Sequence, residues 1–222
     1  MSTRAALSRE RIVAAAVEVA DRGGLAHVSM RNVGRELGVE AMSLYHHLGG
    51  KDDLLDALAN WIFTRIRLPG LDDPWRPAMA ARAASARDTL AAHPWALGLV
   101  ESRRGPAPAL LRHHDTVLGC LRRNGFSVAL AAHAFSAIDA YVYGFVLTEL
   151  NLPFEGPSGA EELVGELEQF LPADEYPYLT ELIGEQVIGR EYAYGDEFGY
   201  GLELVLDGLA DRFAAGGYRR EA

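Results

Sequence analysis

Arg31, Ser43, Tyr45, His47 and Lys51 fall in one stretch, residues 28–51 (VSMRNVGRELGVEAMSLYHHLGGK), and share a chemistry. A guanidinium and an ammonium neutralise phosphate, while hydroxyls and an imidazole hydrogen-bond to phosphate oxygens and base edges. The chain lacks the spacings that covalent or metal chemistry needs. His46-His47 and His113-His114 are adjacent pairs, which point about 100° apart on a helix and do not supply the i, i+4 pair of a zinc site. No GxSxG elbow, GxxxxGK[ST] loop or metal-spaced cysteine set occurs. A binding surface is therefore expected, with no enzyme activity, metal or cofactor. The competing readings are an ordinary solvated helix face and a helical interaction module that ignores nucleic acid.

A second group lies further on. Trp95, His113, His114, Phe135, Asp139, Tyr141 and Tyr143 combine aromatic area with a few polar groups, the composition of a small-molecule cavity. Asp139 stands inside the most apolar run, residues 129–147. A carboxylate there needs a partner: His114, Arg104, or a ligand cation or hydroxyl. Taken singly, each aromatic also reads as core and each histidine as solvated.

The elements that must position these groups read as helices throughout, so the fold class is all-α. Ile12, Ala15, Ala16, Val19 and Ala20 make the apolar stripe of a first helix, capped by Ser8 and stopped by Gly23-Gly24. Val28, Val33 and Leu37, then Val39, Leu44 and Leu48, form two short ladders separated by Gly38, where a residue lacking Cβ lets the chain turn at once. Ser29 caps the first of these, and Asp52-Asp53 favour the positive end of the next helix. This is helix-turn-helix grammar. Three segments follow: a head over residues 1–50, a connector helix over 51–66, and a helical body over 67–222, entered by a proline-rich linker at 67–77. In the body, helices are expected over 78–92, 95–100, 109–123, 128–150, 160–170, 176–188 and 197–213.

The 222 residues carry a net charge of −10, but residues 1–51 hold seven basic and five acidic side chains. A mildly positive head on an acidic body repels nucleic acid everywhere except the head. The single Cys120 excludes an internal disulfide, the first residues lack a secretion signal, and the run 129–147 is interrupted by His133 and Asp139. A cytoplasmic protein without a membrane span is expected. The helices at 128–150 and 197–213 carry apolar residues over broad faces, more than the remaining helices can cover, which points to a homodimer.

Gly38-Val39-Glu40, Leu44-Tyr45, His47 and residues 51–58 (KDDLLDAL), with residues 199–204 (GYGLEL) near the end, make the chain similar to the tetracycline-repressor-like (TetR) transcriptional regulators. The resemblance implies a homodimer whose heads read a palindromic double-stranded DNA operator, with half-sites ~34–36 Å apart, and whose body binds a small-molecule effector. It implies that the groove-facing tip is Glu40, Ala41, Met42, Ser43, Tyr45 and His47. Ala41 and Met42 cannot make bidentate bonds to bases and suit a thymine methyl instead, so Arg4 and Arg9 are candidate extra contacts. Gly49-Gly50 replaces the more polar pair usual before the lysine. Relatives that respond to tetracycline place histidines where Arg67 and Val100 stand, so the resemblance also implies a different effector.

Overall fold

Ser8 opens the first helix by accepting the Arg11 N–H at 3.3 Å, and Gly24, at φ 70°, closes it. The computed structural model describes residues 6–102, 107–167 and 170–216, and among these every regular element is helical. Helix α1 (Arg9–Gly23) buries Ile12, Ala16, Val17 and Ala20 against α2 (Met30–Leu37) and α4 (Lys51–Phe63). Ser29 caps α2 through the Asn32 N–H at 3.1 Å. Gly38 ends it in the left-handed region (φ 65°, ψ 37°), and Val39 N–H donates back to the Gly34 carbonyl at 2.9 Å. That reversal carries the chain into α3 (Ala41–Leu44) at little conformational cost.

Helix α3 is shorter than its apolar ladder suggests. After Leu44 the N–H groups of Tyr45 and His47 reach carbonyls only three residues back, at 3.2 and 2.9 Å, so the segment tightens into turns before Gly49-Gly50. Leu44 and Leu48 still enter the core. Gly34 makes the close approach possible: a Cβ there would stand 3.0 Å from the Val39 carbonyl oxygen and 3.2 Å from Leu44 Cδ1.

Helix α4 packs on α1 in the head and on α6 (Trp95–Ser102) and α7 (Pro108–Arg123) in the body. Helix α5 begins at Trp75 and runs to Ala92, earlier than expected, because Pro77 sits in its first turn, where no N–H is required. The linker before it is anchored at its end. Asn124 accepts the Trp75 N–H at 3.2 Å and donates to the Asp73 carbonyl at 2.9 Å, while Trp75, Phe126 and Phe213 form an aromatic column.

Helix α8 (Val128–Leu150), capped by Ser127, is packed by α5, α7 and α11 (Glu197–Ala214). By length and composition alone it could cross a membrane; here it is the body's core helix, and its buried side is Leu130, Ala134, Ile138, Val142, Phe145 and Val146. The opposite face is not enclosed. Val128, Ala132, Ser136, Ala140, Gly144 and Leu147 are exposed on it, as are Tyr200 and Leu204 on α11. Between these two helices, α9 spans Gly156–Leu167, starting in what reads as loop, and α10 (Pro177–Leu182) unwinds into a single π turn at Ile183–Val187.

Candidate DNA interface and effector site

On the head, Arg31 lies exposed on α2, Glu40 precedes α3, and Met42, Tyr45, His47 and Lys51 are exposed along α3, the turn and the start of α4. Met42 is 71% and Tyr45 49% exposed although both are large and apolar in part. Isolated apolar exposure of this degree on a cation-flanked helix pair is what base and methyl contact needs. Ser43 is half-buried, and Ala41 packs inward over Gly34 and the head core, so its place at the tip is structural support.

Arg9 has a different role from the one its position suggests. Its guanidinium grips Asp53 with both terminal nitrogens, at 2.6 and 3.1 Å, and reaches the His47 carbonyl at 3.4 Å. Asp53 also accepts the Gly49 N–H at 3.0 Å. The Arg9 hydrogen bond first, and that of Gly49 second, hold the Asp53 carboxyl below the usual carboxylate range. This clamp ties the starts of α1 and α4 to the double-glycine turn, so Arg9 belongs to the head's frame. Arg4 lies outside the described residues.

In the body, three helices bring one charge network together. Arg82 from α5 donates through Nε to His113 Nε2 on α7 at 2.8 Å and through Nη2 to Asp139 Oδ1 on α8 at 2.5 Å. Arg82 and His113 are 2% and 1% exposed, a depth at which a cation survives only when paired. The partner of Asp139 is thus Arg82, not His114; Arg104 lies outside the described residues. His114 stacks edge-on with Phe135 at 4.6 Å, and the Arg82 guanidinium lies 5.3 Å from the same ring. Burial, then the charges of Arg82 and His114, drive the His113 imidazole down to about 3. It is therefore neutral, and because a guanidinium only donates, Nε2 is the bare acceptor and Nδ1 carries the proton.

Arg82 escaped the sequence reading. Its signal is a cation between alanines, on the helix face that also buries Met79, Ala83, Ala86 and Leu90.

Two other expected pocket residues have structural work instead. The Trp95 indole N–H donates to Asp21 on α1 at 2.6 Å, joining head to body, and the Tyr141 hydroxyl donates to the Phe198 carbonyl at 2.8 Å, joining α8 to α11. Tyr143 is half-buried against the core. Arg67 contributes its backbone N–H to Ser85 Oγ at 2.9 Å. Phe63, the last residue of α4, faces His113 with ring centroids 5.6 Å apart, so the connector ends on the network.

Comparison with known proteins agrees with both halves of this description. Residues 12–58 match the family of bacterial regulatory proteins, tetR family, and residues 68–213 match the tetracyclin repressor-like C-terminal domain. The chain is 35% identical to the HTH-type transcriptional repressor DrrR1 of Streptomyces coeruleorubidus, over 91% of this chain and 77% of that protein. It is 30% identical to the class A tetracycline repressor of Escherichia coli, over 93% and 92%. Among solved structures, ActR of Streptomyces coelicolor in complex with (S)-DNPA superimposes with a TM-score of 0.74 at 28% identity, covering 93% of this chain and 98% of that one. With its helix-turn-helix head, its helical body and matches to both family domains, the chain belongs to the TetR family of bacterial transcriptional regulators.

Proposed function

We propose that the head reads its operator with Glu40, Met42, Ser43, Tyr45 and His47 while Arg31 and Lys51 neutralise phosphates, and that the effector binds in the body at the junction of α5, α7 and α8. Ala41 supports the tip from beneath. Two chains act as a homodimer through the open faces of α8 and α11, where Leu147, Tyr200 and Leu204 are exposed in the single chain. The heads then meet the two halves of a palindrome. The protein works in the cytoplasm and carries out no catalytic step.

The observation that carries the mechanism is the Phe63–His113 contact. An effector seated against His113, Phe135 and Arg82 displaces the ring on which α4 ends. With thirteen residues, α4 is a rod of about 20 Å that converts a shift at Phe63 into a displacement of Lys51 and the turn it supports. Effector binding therefore changes the spacing of the two heads and releases the operator. The similar protein ActR, solved in complex with (S)-DNPA and with actinorhodin, supports a small-molecule effector.

A titration of the full-length protein against the DNA flanking its own gene, by gel shift at stated salt, tests the reading. A specific shift confined to one palindrome is expected; no specific shift even at low salt would falsify it.

A further inference from the structure

A cleft of about 800 Å³ lies between α1 and α4, away from the junction of α5, α7 and α8. Its α4 wall runs from Asp53 to Trp61, eight residues and about 12 Å of helix, and continues into the turn that carries Thr64 and Arg65. Pro108, at the start of α7, lines it too, close to Asn60, whose side chain accepts the Ala109 N–H at 3.0 Å. Head, connector and body therefore share one cleft, and its volume is that of a small-molecule site.

Small side chains line its middle, and its two ends differ in charge. Val13, Ala14 and Ala57 leave room for a flat apolar body. At the head end Arg9 and Asp53 neutralise each other at 2.6 Å, which leaves Glu10 and Asp56 as the remaining charges there. At the body end stands Arg65, its guanidinium carbon 3.4 Å from the centroid of the Trp61 ring. Thr64 orients that guanidinium: its hydroxyl donates to the Trp61 carbonyl at 2.6 Å and accepts from Arg65 Nη1 at 3.3 Å.

Arg65 has no carboxylate partner among the described residues, whereas Arg9 across the same cleft, and Arg76, Arg82 and Arg87 in the body, each hold one. Partial burial draws its pKa below the usual guanidinium range, as for a cation that has lost some water without gaining a counter-charge. With Nη1 engaged by Thr64, the Nε–Nη2 edge is left, and that edge matches the two oxygens of a carboxylate. We propose that this cleft is a small-molecule site for a flat aromatic carboxylate, its acid group paired with Arg65 and its rings lying beside Trp61 along the alanine-lined middle. A ligand seated there touches head, connector and body at once. Trp61 also meets His93 edge-on at 5.0 Å, and His93 meets Asp21 of α1 at 2.8 Å, so the ligand rests against the joint between head and body.

Naphthoate, naphthamide and naphthylmethylamine share their rings and offer an anion, a neutral amide and a cation. Each is titrated into the full-length protein labelled with nitrogen-15 at tryptophan, and the Trp61 indole N–H resonance is followed. Its assignment comes from its loss in Trp61→Phe, or by exclusion with Trp75→Phe and Trp95→Phe. Naphthoate is expected to shift that resonance and to bind about tenfold tighter than naphthamide, with the amine weakest. The preference for the anion is expected to vanish in Arg65→Gln, a change at an exposed position that leaves the core intact. Equal binding of the three overturns the Arg65 anchor, and tightest binding by the amine assigns the cleft to cations through Glu10 and Asp56 instead. Naphthoate that binds without moving the Trp61 resonance, or equally well to Arg65→Gln, is held elsewhere and overturns the site. Failure of all three to bind overturns it as well, and leaves the effector site at α5, α7 and α8 untouched.

Discussion

Asp21, on the first helix of the head, accepts the indole N–H of Trp95, on the first turn of α6 in the body, at 2.6 Å, and the same carboxylate oxygen meets His93 Nδ1 at 2.8 Å. His93 in turn packs edge-on against Trp61 of the connector at 5.0 Å. Head, connector and body are thus joined around one carboxylate as well as through α4. Asp21→Ala is expected to lower stability to urea by about 1–2 kcal/mol, and Trp95→Phe, which keeps the ring, by about 1 kcal/mol. The double variant is expected to cost less than the two together, because both remove one bond. Full additivity in the cycle would refute the contact.

The buried His113 makes stability depend on pH. Its folded value of about 3 lies below the ordinary 6.5, so between those values the unfolded chain binds a proton that the folded chain does not. Stability therefore falls as pH drops below about 6.5, by roughly 1.4 kcal/mol per unit, or about 2 kcal/mol between pH 7 and pH 5. Urea unfolding at the two pH values measures it, and His113→Gln is expected to flatten most of that slope.

Lys51 and Arg9 lie near each other in the head but are expected to behave differently. Lys51→Ala is expected to weaken operator binding at every sequence and to reduce the slope of log affinity against log salt by about one. Arg9→Ala is expected to leave that slope unchanged and to lower head stability by less than about 1 kcal/mol, since its pair with Asp53 is largely solvated. A lowered salt slope in Arg9→Ala would place that guanidinium on phosphate. Tyr45→Ala is expected to weaken binding selectively at the operator while the protein keeps its dimer elution volume.

Gly34 sits in mid-helix, where alanine is ordinarily better by about 1 kcal/mol. Here the added methyl would meet the Val39 carbonyl and Leu44 side chain, so Gly34→Ala is expected to destabilise the head by about 1 kcal/mol net and weaken operator binding. A rise in melting temperature would show that α3 can back away.

Leu204 and Tyr200 lie exposed on α11 in the single chain. A charge there would be buried on association without a partner, so Leu204→Arg is expected to give a monomer in analytical ultracentrifugation. Operator affinity is expected to fall with it, because one head alone sees one half-site.

Local chemistry determined a good deal of this protein before any tertiary contact is considered. Ser8, Ser29 and Ser127 cap three helices because a hydroxyl beside orphan N–H groups acts within one turn, and Gly38 reverses the chain because the left-handed region is open to it. The exposed set from Arg31 to Lys51 follows from the same short-range pattern. Only the tertiary structure decided which distant residues meet. Asp139 and Arg82 are 57 positions apart, and Arg82 and His113 are 31 apart, so no periodicity or spacing links them. They are joined because α5, α7 and α8 converge where a buried cation must find both an acceptor and a counter-charge. Packing likewise diverted Trp95 and Tyr141 from the pocket to the joints between helices, committed Arg9 to Asp53, and left one face of α8 open, outcomes fixed by which surfaces remained after the core had closed.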